Sequence, residues 1–120
     1  MSDLVYTLSD HIRIRPASGT WVIRAQGAII GETARALELT EGRSAPVIYV
    51  PREDMAMAFL EPSARHSVCP CKGRATYFSV VVPGGTLADA VWSYETPLES
   101  AAPIAGYLAF YPDLVKVEPA

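Results

Sequence analysis

Apolar and polar residues alternate along much of the chain with the two-residue period of β-strands. The run His11-Ile-Arg-Ile-Arg15 is the clearest case, because a strand there would bury Ile12 and Ile14 and expose Arg13 and Arg15. The same pattern, or a short apolar run rich in β-branched residues, predicts further strands. They cover residues 21–24, 28–30, 34–40, 47–50, 74–82, 91–95, 107–111 and 114–117.

The period changes after residue 50, where the spacing becomes helical. Met55 and Phe59 would share one face of a helix, and Glu53 and Asp54 place negative charge near its positive N-terminal end. The spacing therefore predicts one short helix over residues 53–60.

Turn residues separate these segments and indicate the fold class. Ten prolines and eight glycines are spread along the chain, with turns predicted at residues 17–19, 83–85 and 112–113. Short strands with one short helix are typical of a mainly β fold with antiparallel pairing. A chain of 120 residues can bury one core but not two, so we expect a single β-rich domain over residues 1–120.

Composition excludes several classes of protein. Half of the residues are hydrophobic and only 19% are charged, which rules out intrinsic disorder. No apolar run approaches the 20 or so residues of a membrane span, and the net charge of −3 argues against a general nucleic-acid coat. The first residues lack a signal-peptide pattern, so we expect the reducing cytoplasm, with no membrane and no nucleic acid as partners.

Charge is distributed unevenly along the chain. Residues 11–74 carry nine basic and six acidic residues, whereas residues 75–120 carry one basic and five acidic residues. This asymmetry is either a chance property of the surface or the border of a site for an anion.

Candidate chemistry is densest in the segment His66-Ser-Val-Cys-Pro-Cys-Lys-Gly-Arg74. Lys72 and Arg74 could shift Cys69 toward the nucleophilic thiolate, or Cys69 could serve as a small buried hydrophobe. The Cys-x-Cys spacing is at the long end for a disulfide and is not the Cys-x-x-Cys redox motif. With His66 it still lacks a fourth zinc ligand, so we predict no metal and no cofactor.

Aromatic residues fall mostly in the predicted strands, where most should belong to the core. Trp92 and Tyr94 would share one strand face and could line a pocket. With a cation for charge and a carboxylate for hydrogen bonding, they define a candidate ligand-binding set. It contains Tyr49, Asp54, Cys69, Lys72, Gly73, Tyr77, Trp92 and Tyr94, of which Cys69, Lys72 and Asp54 are the catalytic candidates.

Six sequence blocks occur in a specific order. They are Gly27-Ala-Ile-Ile-Gly31, Ala36-Leu-Glu-Leu-Thr-Glu41, Pro46-Val-Ile-Tyr-Val-Pro51, Cys69-Pro-Cys-Lys-Gly73, Trp92-Ser-Tyr-Glu-Thr-Pro97 and Ala109-Phe-Tyr-Pro-Asp113. In this order they resemble a bacterial family catalogued as domain of unknown function 427, also filed under a nucleotidyltransferase-like name. The resemblance covers about residues 20–118.

The resemblance implies twisted antiparallel β-sheets of the β-tent type, shared with zinc-binding exchange-factor-like and methionine sulfoxide reductase domains. At the position of Cys71 the family usually has an aromatic residue, so a Cys69–Cys71 pair is not the family's shared chemistry. The chain has neither a paired-aspartate metal motif nor a phosphate loop. The nucleotidyltransferase-like name is therefore a label rather than a mechanism.

Three functions are compatible with these residues. The first is a pocket around Cys69–Gly73 that binds a small anionic or nucleotide-like ligand. The second is a thiol-dependent enzyme that uses Cys69, and the third is a non-catalytic interaction module. The sequence decides neither whether the protein is an enzyme nor whether it forms a homodimer.

Overall fold

Strands dominate the molecule. The structure, a computed structural model, describes residues 11–120, and more than half of these residues are in β-strands. The strands are β1 (Ile12–Pro16), β2 (Trp21–Ala25), β3 (Ala28–Thr33), β4 (Leu37–Glu41), β5 (Val47–Tyr49), β6 (Leu60–Cys69), β7 (Gly73–Val82), β8 (Gly85–Ser93), β9 (Leu108–Phe110) and β10 (Lys116–Pro119). The prediction of a mainly β fold is confirmed.

The strands form three antiparallel sheets. Their orders are β1-β4-β5, β10-β2-β3 and β6-β7-β8-β9. The first and third sheets meet along β5 and β9, where Val50 and Leu108 form an isolated bridge with both backbone hydrogen bonds at 2.8 Å. This seam lies beside the candidate site described below.

The alternation predicted for β1 is present. Ile12 and Ile14 are half-buried while Arg13 and Arg15 are exposed, and Ile14 pairs with Leu39 of β4. Arg15 donates a hydrogen bond of 2.8 Å to Glu38 on the neighbouring strand. Side-chain alternation thus determines which face of β1 turns to the core.

The four-stranded sheet separates two groups of buried side chains, because neighbouring residues of a strand point to opposite faces. Phe78 and Val91 belong to the larger cluster, which also holds Ile23, Ile30 and Leu108. The second cluster contains the buried tyrosines of the pocket described below, and Trp92 packs against it. The aromatic face of the sheet is therefore the face that carries the candidate site.

The predicted helix over residues 53–60 does not form as one element. Two single-turn 3-10 helices, Arg52–Asp54 and Met57–Phe59, occupy the segment, and Leu60 already belongs to β6. Met55 is extended between them and bridges Gly31 of β3. This strand-like pairing outweighs the helical spacing of the apolar residues. A third 3-10 helix at Glu99–Ile104 had no counterpart among the predicted elements.

The other differences concern β6 and β8. The polar strand β6 was not predicted as a strand, because an edge strand with exposed faces shows no alternation. β8 begins six residues before the predicted start. The single domain over residues 1–120 stays a prediction, and its first ten residues lie outside the described ones. No helix among residues 11–120 is long and apolar enough to cross a membrane.

A candidate ligand pocket between the first and third sheets

A concavity of about 240 Å³ opens between the first sheet and the aromatic face of the third. This aromatic pocket receives residues from β4, β5, β7 and β8 and from four connecting segments. Its lining residues are Leu39, Glu41, Ser44, Ala45, Val47, Tyr49, Lys72, Tyr77, Trp92, Tyr94 and Tyr111.

A lysine–glutamate pair supplies the charge of the pocket. The Lys72 ammonium donates to a carboxylate oxygen of Glu41, and only 10% of the Lys72 side chain is exposed. Its Nζ also lies 5.9 Å from the centre of the Tyr94 ring, within cation–π range. The pair brings a positive and a negative group together without net charge.

Burial works to lower the pKa of Lys72, because a buried ammonium loses its hydration. The hydrogen bond to Glu41 and the electrostatic interactions with Cys69 and Glu41 outweigh burial, so the pKa of Lys72 is raised. Lys72 therefore stays protonated at neutral pH. It can donate hydrogen bonds, but it has no free electron pair for nucleophilic attack.

The turn that carries Lys72 is tightly held. The amide of Lys72 donates to the carbonyl of Cys69 at 3.2 Å, and the Ser100 hydroxyl donates to the carbonyl of Cys71 at 2.6 Å. Gly73 then has φ of +110°, a conformation that L side chains rarely adopt. This turn directs the Lys72 side chain toward β4.

Trp92 forms the central wall of the pocket. Its Nε1 donates to the Tyr49 hydroxyl at 3.2 Å, and the two rings meet edge to face with centroids 6.5 Å apart. On its other side Trp92 packs against Tyr111, with ring centroids 4.7 Å apart. The half-buried Trp92 thus offers part of its ring to a ligand while its polar atom is already satisfied.

A stack of aromatic and basic groups extends from this wall toward solvent. Tyr111 is nearly parallel to Tyr77, at 6.5 Å between centroids, and the Arg65 guanidinium lies 4.5 Å from the centre of the Tyr77 ring. The Tyr77 hydroxyl also bonds the Ser67 hydroxyl at 2.8 Å. Arg65 is exposed, so a positive charge stands where the pocket wall reaches the surface.

Tyr94 contributes a free hydroxyl. Burial raises the pKa of Tyr94 strongly, which keeps the phenol neutral at physiological pH. Among residues 11–120 its hydroxyl has no hydrogen-bonding partner. Every buried side-chain polar atom of these residues has a partner, so the Tyr94 hydroxyl is not among the buried atoms. The group is therefore free to bond water or a ligand.

The structure brings five of the eight predicted ligand-binding residues to this pocket. Tyr49, Lys72, Tyr77, Trp92 and Tyr94 all line it. Gly73 adjoins the pocket only through the backbone turn described above. Cys69 is half-buried against the same aromatic cluster but does not line the concavity.

Asp54 lies elsewhere, on the side of the second sheet. It accepts hydrogen bonds from the Thr33 hydroxyl at 2.7 Å and from Arg35 at 3.0 Å. These bonds, with Arg35 the stronger influence, lower the pKa of Asp54. The expectation that Asp54 joins Lys72 and Cys69 was wrong, because the bridge between Met55 and Gly31 draws this segment to β3.

Neither cysteine forms a disulfide, although they flank the same turn. Cys71 is buried, and burial raises the pKa of its thiol, which disfavours the reactive thiolate. Among the residues that the structure describes, no group of three His, Cys, Asp or Glu side chains is placed to hold a metal ion.

Sequence reasoning did not include six lining residues in the candidate set: Leu39, Glu41, Ser44, Ala45, Val47 and Tyr111. Of these six, Glu41 bonds Lys72 and Tyr111 packs against Trp92. Both lie in the sequence blocks that carry the family resemblance, and this resemblance is the sequence feature that could have identified them as site residues.

Comparison with known proteins gives a family and no function. A search of curated proteins found no match. A family model described as a domain of unknown function, DUF427, matches residues 13–119, and this range includes every residue that lines the aromatic pocket. The chain belongs to the DUF427 family of domains of unknown function.

Proposed function

We propose that the protein binds a small planar anion, nucleotide-like in character, in the aromatic pocket. The observation that carries this proposal is a concavity with aromatic walls, together with the Arg65 guanidinium that lies over Tyr77 of its wall. Ligand sites combine apolar walls with a few convergent polar groups in this way.

The size of the pocket favours one ring system. Its volume of about 240 Å³ lies just below the range of roughly 300–1,000 Å³ for drug-sized ligands. A planar ring can pack against Trp92, as aromatic groups pack in cores. Its polar edge would then meet the remaining donors of Lys72, the second oxygen of Glu41 and the Tyr94 hydroxyl.

The anionic group would lie at the rim, beside Arg65. The Lys72–Glu41 pair is neutral as a unit and adds little attraction for a negative ligand. Arg65 has no carboxylate partner among residues 11–120, and its guanidinium rests on Tyr77 at the pocket wall. A fixed guanidinium is well suited to bind phosphate or carboxylate.

Tryptophan fluorescence tests the ligand proposal. In Trp21→Phe, Trp92 is the sole tryptophan, and we expect saturable quenching by adenosine monophosphate at micromolar to millimolar concentrations. Trp92→Phe keeps only Trp21, which lies on the second sheet and whose Nε1 donates to the Ser18 carbonyl in the preceding turn. This variant serves as the matched control. Equal responses from both variants, or no response from either, would contradict the proposal.

The rim assignment is tested by comparing two ligands. Adenosine monophosphate should bind about tenfold more tightly than adenosine, since a charge-assisted hydrogen bond contributes about 1.5 kcal/mol or more. Arg65→Gln should remove this preference. Arg24→Gln removes the same charge on β2 and should keep it. A preference that survives Arg65→Gln would place the anion elsewhere.

A thiol-dependent reaction on Cys69 is the second candidate, favoured by the turn that holds Lys72 close to it, in which the Lys72 amide donates to the Cys69 carbonyl at 3.2 Å. Alkylation by iodoacetamide tests it. A reactive Cys69 should be modified much faster than the buried Cys71, and Lys72→Met should slow that reaction. Equal and slow modification of both cysteines would contradict a thiol-dependent reaction and would leave the ligand-binding proposal unaffected.

A further inference from the structure

A second concavity, of about 280 Å³, adjoins the aromatic pocket. It lies where β5 faces the segment that follows β9, beyond the Val50–Leu108 bridge of the seam. Ala45, Val47 and Trp92 line both concavities. The two spaces therefore adjoin each other at these three residues.

The second concavity, here called the apolar groove, differs in chemistry from the aromatic pocket. All nine of its lining residues are apolar, and they include Ile48, Phe110, Val115 and Val117. Val115 and Phe110 are buried, whereas Ile48 and Val117 are half-buried. Among the described residues that line it, no side chain is charged.

We propose that the apolar groove takes a hydrocarbon tail of the same ligand whose ring occupies the aromatic pocket. The ligand class is thus an amphiphile, a planar anionic ring with an alkyl or similar apolar substituent. The inference rests on the proposed function, because the ring anchors the tail. Because Ala45, Val47 and Trp92 line both spaces, a substituent at the edge of the ring lies next to the groove. The lining of the groove offers a hydrocarbon chain contact without a hydrogen-bonding demand.

The dimensions and the lining favour a tail over a segment of a protein partner. A strand or helix of a partner needs a surface several times larger than this groove, together with hydrogen-bonding groups at its edge. An alkyl chain needs only apolar contact, and each buried methylene strengthens binding about fourfold.

Binding of 4-alkylbenzoates tests this inference. Benzoate and its 4-ethyl, 4-butyl and 4-hexyl derivatives are titrated into Trp21→Phe, with Trp92 fluorescence as the readout. We expect affinity to rise about fourfold for each methylene until the groove is full, and then to level off.

Val117→Glu places a carboxylate in the groove without touching the aromatic pocket. It should remove the dependence on chain length and leave the affinity for benzoate unchanged. Val68→Glu is the matched control, since Val68 lies on the edge strand β6 and is 77% exposed. This control should keep the full dependence on chain length.

The outcomes separate the two proposals. If benzoate binds but chain length has no effect, or if Val117→Glu and Val68→Glu behave alike, the tail site is wrong and the ring site stands. If adenosine monophosphate and every benzoate fail to bind, both proposals are wrong. Melting curves of both glutamate variants identify any loss of folding.

Discussion

At the scale of single residues, the Lys72–Glu41 pair is the most informative feature of the molecule. Thirty-one positions separate the two residues, yet both are largely withdrawn from water, with Glu41 at 28% and Lys72 at 10% side-chain exposure. Exposed pairs contribute about 1 kcal/mol at most, whereas breaking a buried pair costs about 3–5 kcal/mol. This pair lies between those limits.

Lys72→Met should therefore lower the free energy of unfolding by about 2 kcal/mol, because it strands the Glu41 carboxylate. The double variant Lys72→Met, Glu41→Gln should lose less than the sum of the two single variants, with a coupling of about 1 kcal/mol in urea denaturation. Lys116→Met changes the only other lysine, which is exposed, and should have little effect. Additive single losses would exclude the pair as a stabilising contact.

The pocket residues also predict an alkaline transition. The pKa values of Lys72, Tyr49 and Tyr94 are all raised in the folded protein. Above pH of about 10, the unfolded chain releases these protons while the folded protein still holds them. Stability is therefore fully present below that pH and declines as the pH rises through the folded pKa values.

Tyr94→Phe removes one of these groups, so its melting temperature should fall less steeply above pH 10 or so than that of the unmodified protein. At pH 7 the two proteins should differ by no more than about 0.5 kcal/mol, because the Tyr94 hydroxyl has no protein partner among the described residues. Parallel melting curves across the alkaline range would contradict the buried-phenol explanation.

Five of the eight residues that residue types and spacing singled out lie together in the aromatic pocket. Strand alternation places Trp92 and Tyr94 on one face, and both pack with Tyr77 across β7 and β8. Asp54 was misplaced because its position depends on the bridge between Met55 and Gly31. That bridge joins distant parts of the chain and leaves no local pattern.

At the scale of elements, the segment after β5 shows how tertiary contacts override local spacing. Arg52, in the first 3-10 helix, donates to the Gly106 carbonyl at 2.7 Å and to the Ser93 hydroxyl at 3.2 Å. It also pairs with Glu95, and its guanidinium lies 5.2 Å from the centre of the Phe78 ring. One side chain thus ties this segment to the end of β8 and to the loop before β9.

Arg52→Lys should destabilise the protein by about 1–3 kcal/mol in urea denaturation, since an ammonium cannot reproduce the planar fork that contacts these acceptors. Arg24→Lys is the control, because Arg24 is 46% exposed and lies 3.6 Å from Glu118. It should change stability by less than about 0.5 kcal/mol. Equal effects of the two changes would show that Arg52 does not hold the segment.

Most strands were predictable, because each buries one face and so alternates. The exception, β6, is an edge strand that exposes polar residues on both faces, and a bulge interrupts its pairing between Pro62 and His66. Proline and bulges protect edge strands from pairing with other chains. Because of the same features, β6 lacks the alternation from which a strand can be predicted.

At the scale of the whole molecule, the site depends on how two sheets meet. The Val50–Leu108 bridge joins β5 to β9, and the aromatic pocket and the apolar groove share Ala45, Val47 and Trp92 in their linings. No sequence pattern predicts this contact between β5 and β9, because it depends on the packing of three sheets. The mainly β class follows from local patterns, and the position of the cleft does not.

The two tryptophans allow the most direct test of the central claim that the aromatic pocket binds a planar anionic ligand. In a nitrogen–proton NMR spectrum, the indole N–H of Trp92 reports the pocket through its bond to Tyr49. The indole N–H of Trp21, on the second sheet, bonds the Ser18 carbonyl in the preceding turn and reports a distant part of the surface. Titration with adenosine monophosphate should shift the Trp92 signal saturably and leave the Trp21 signal in place. An unmoved Trp92 signal at millimolar ligand, or equal shifts of both signals, would contradict the account.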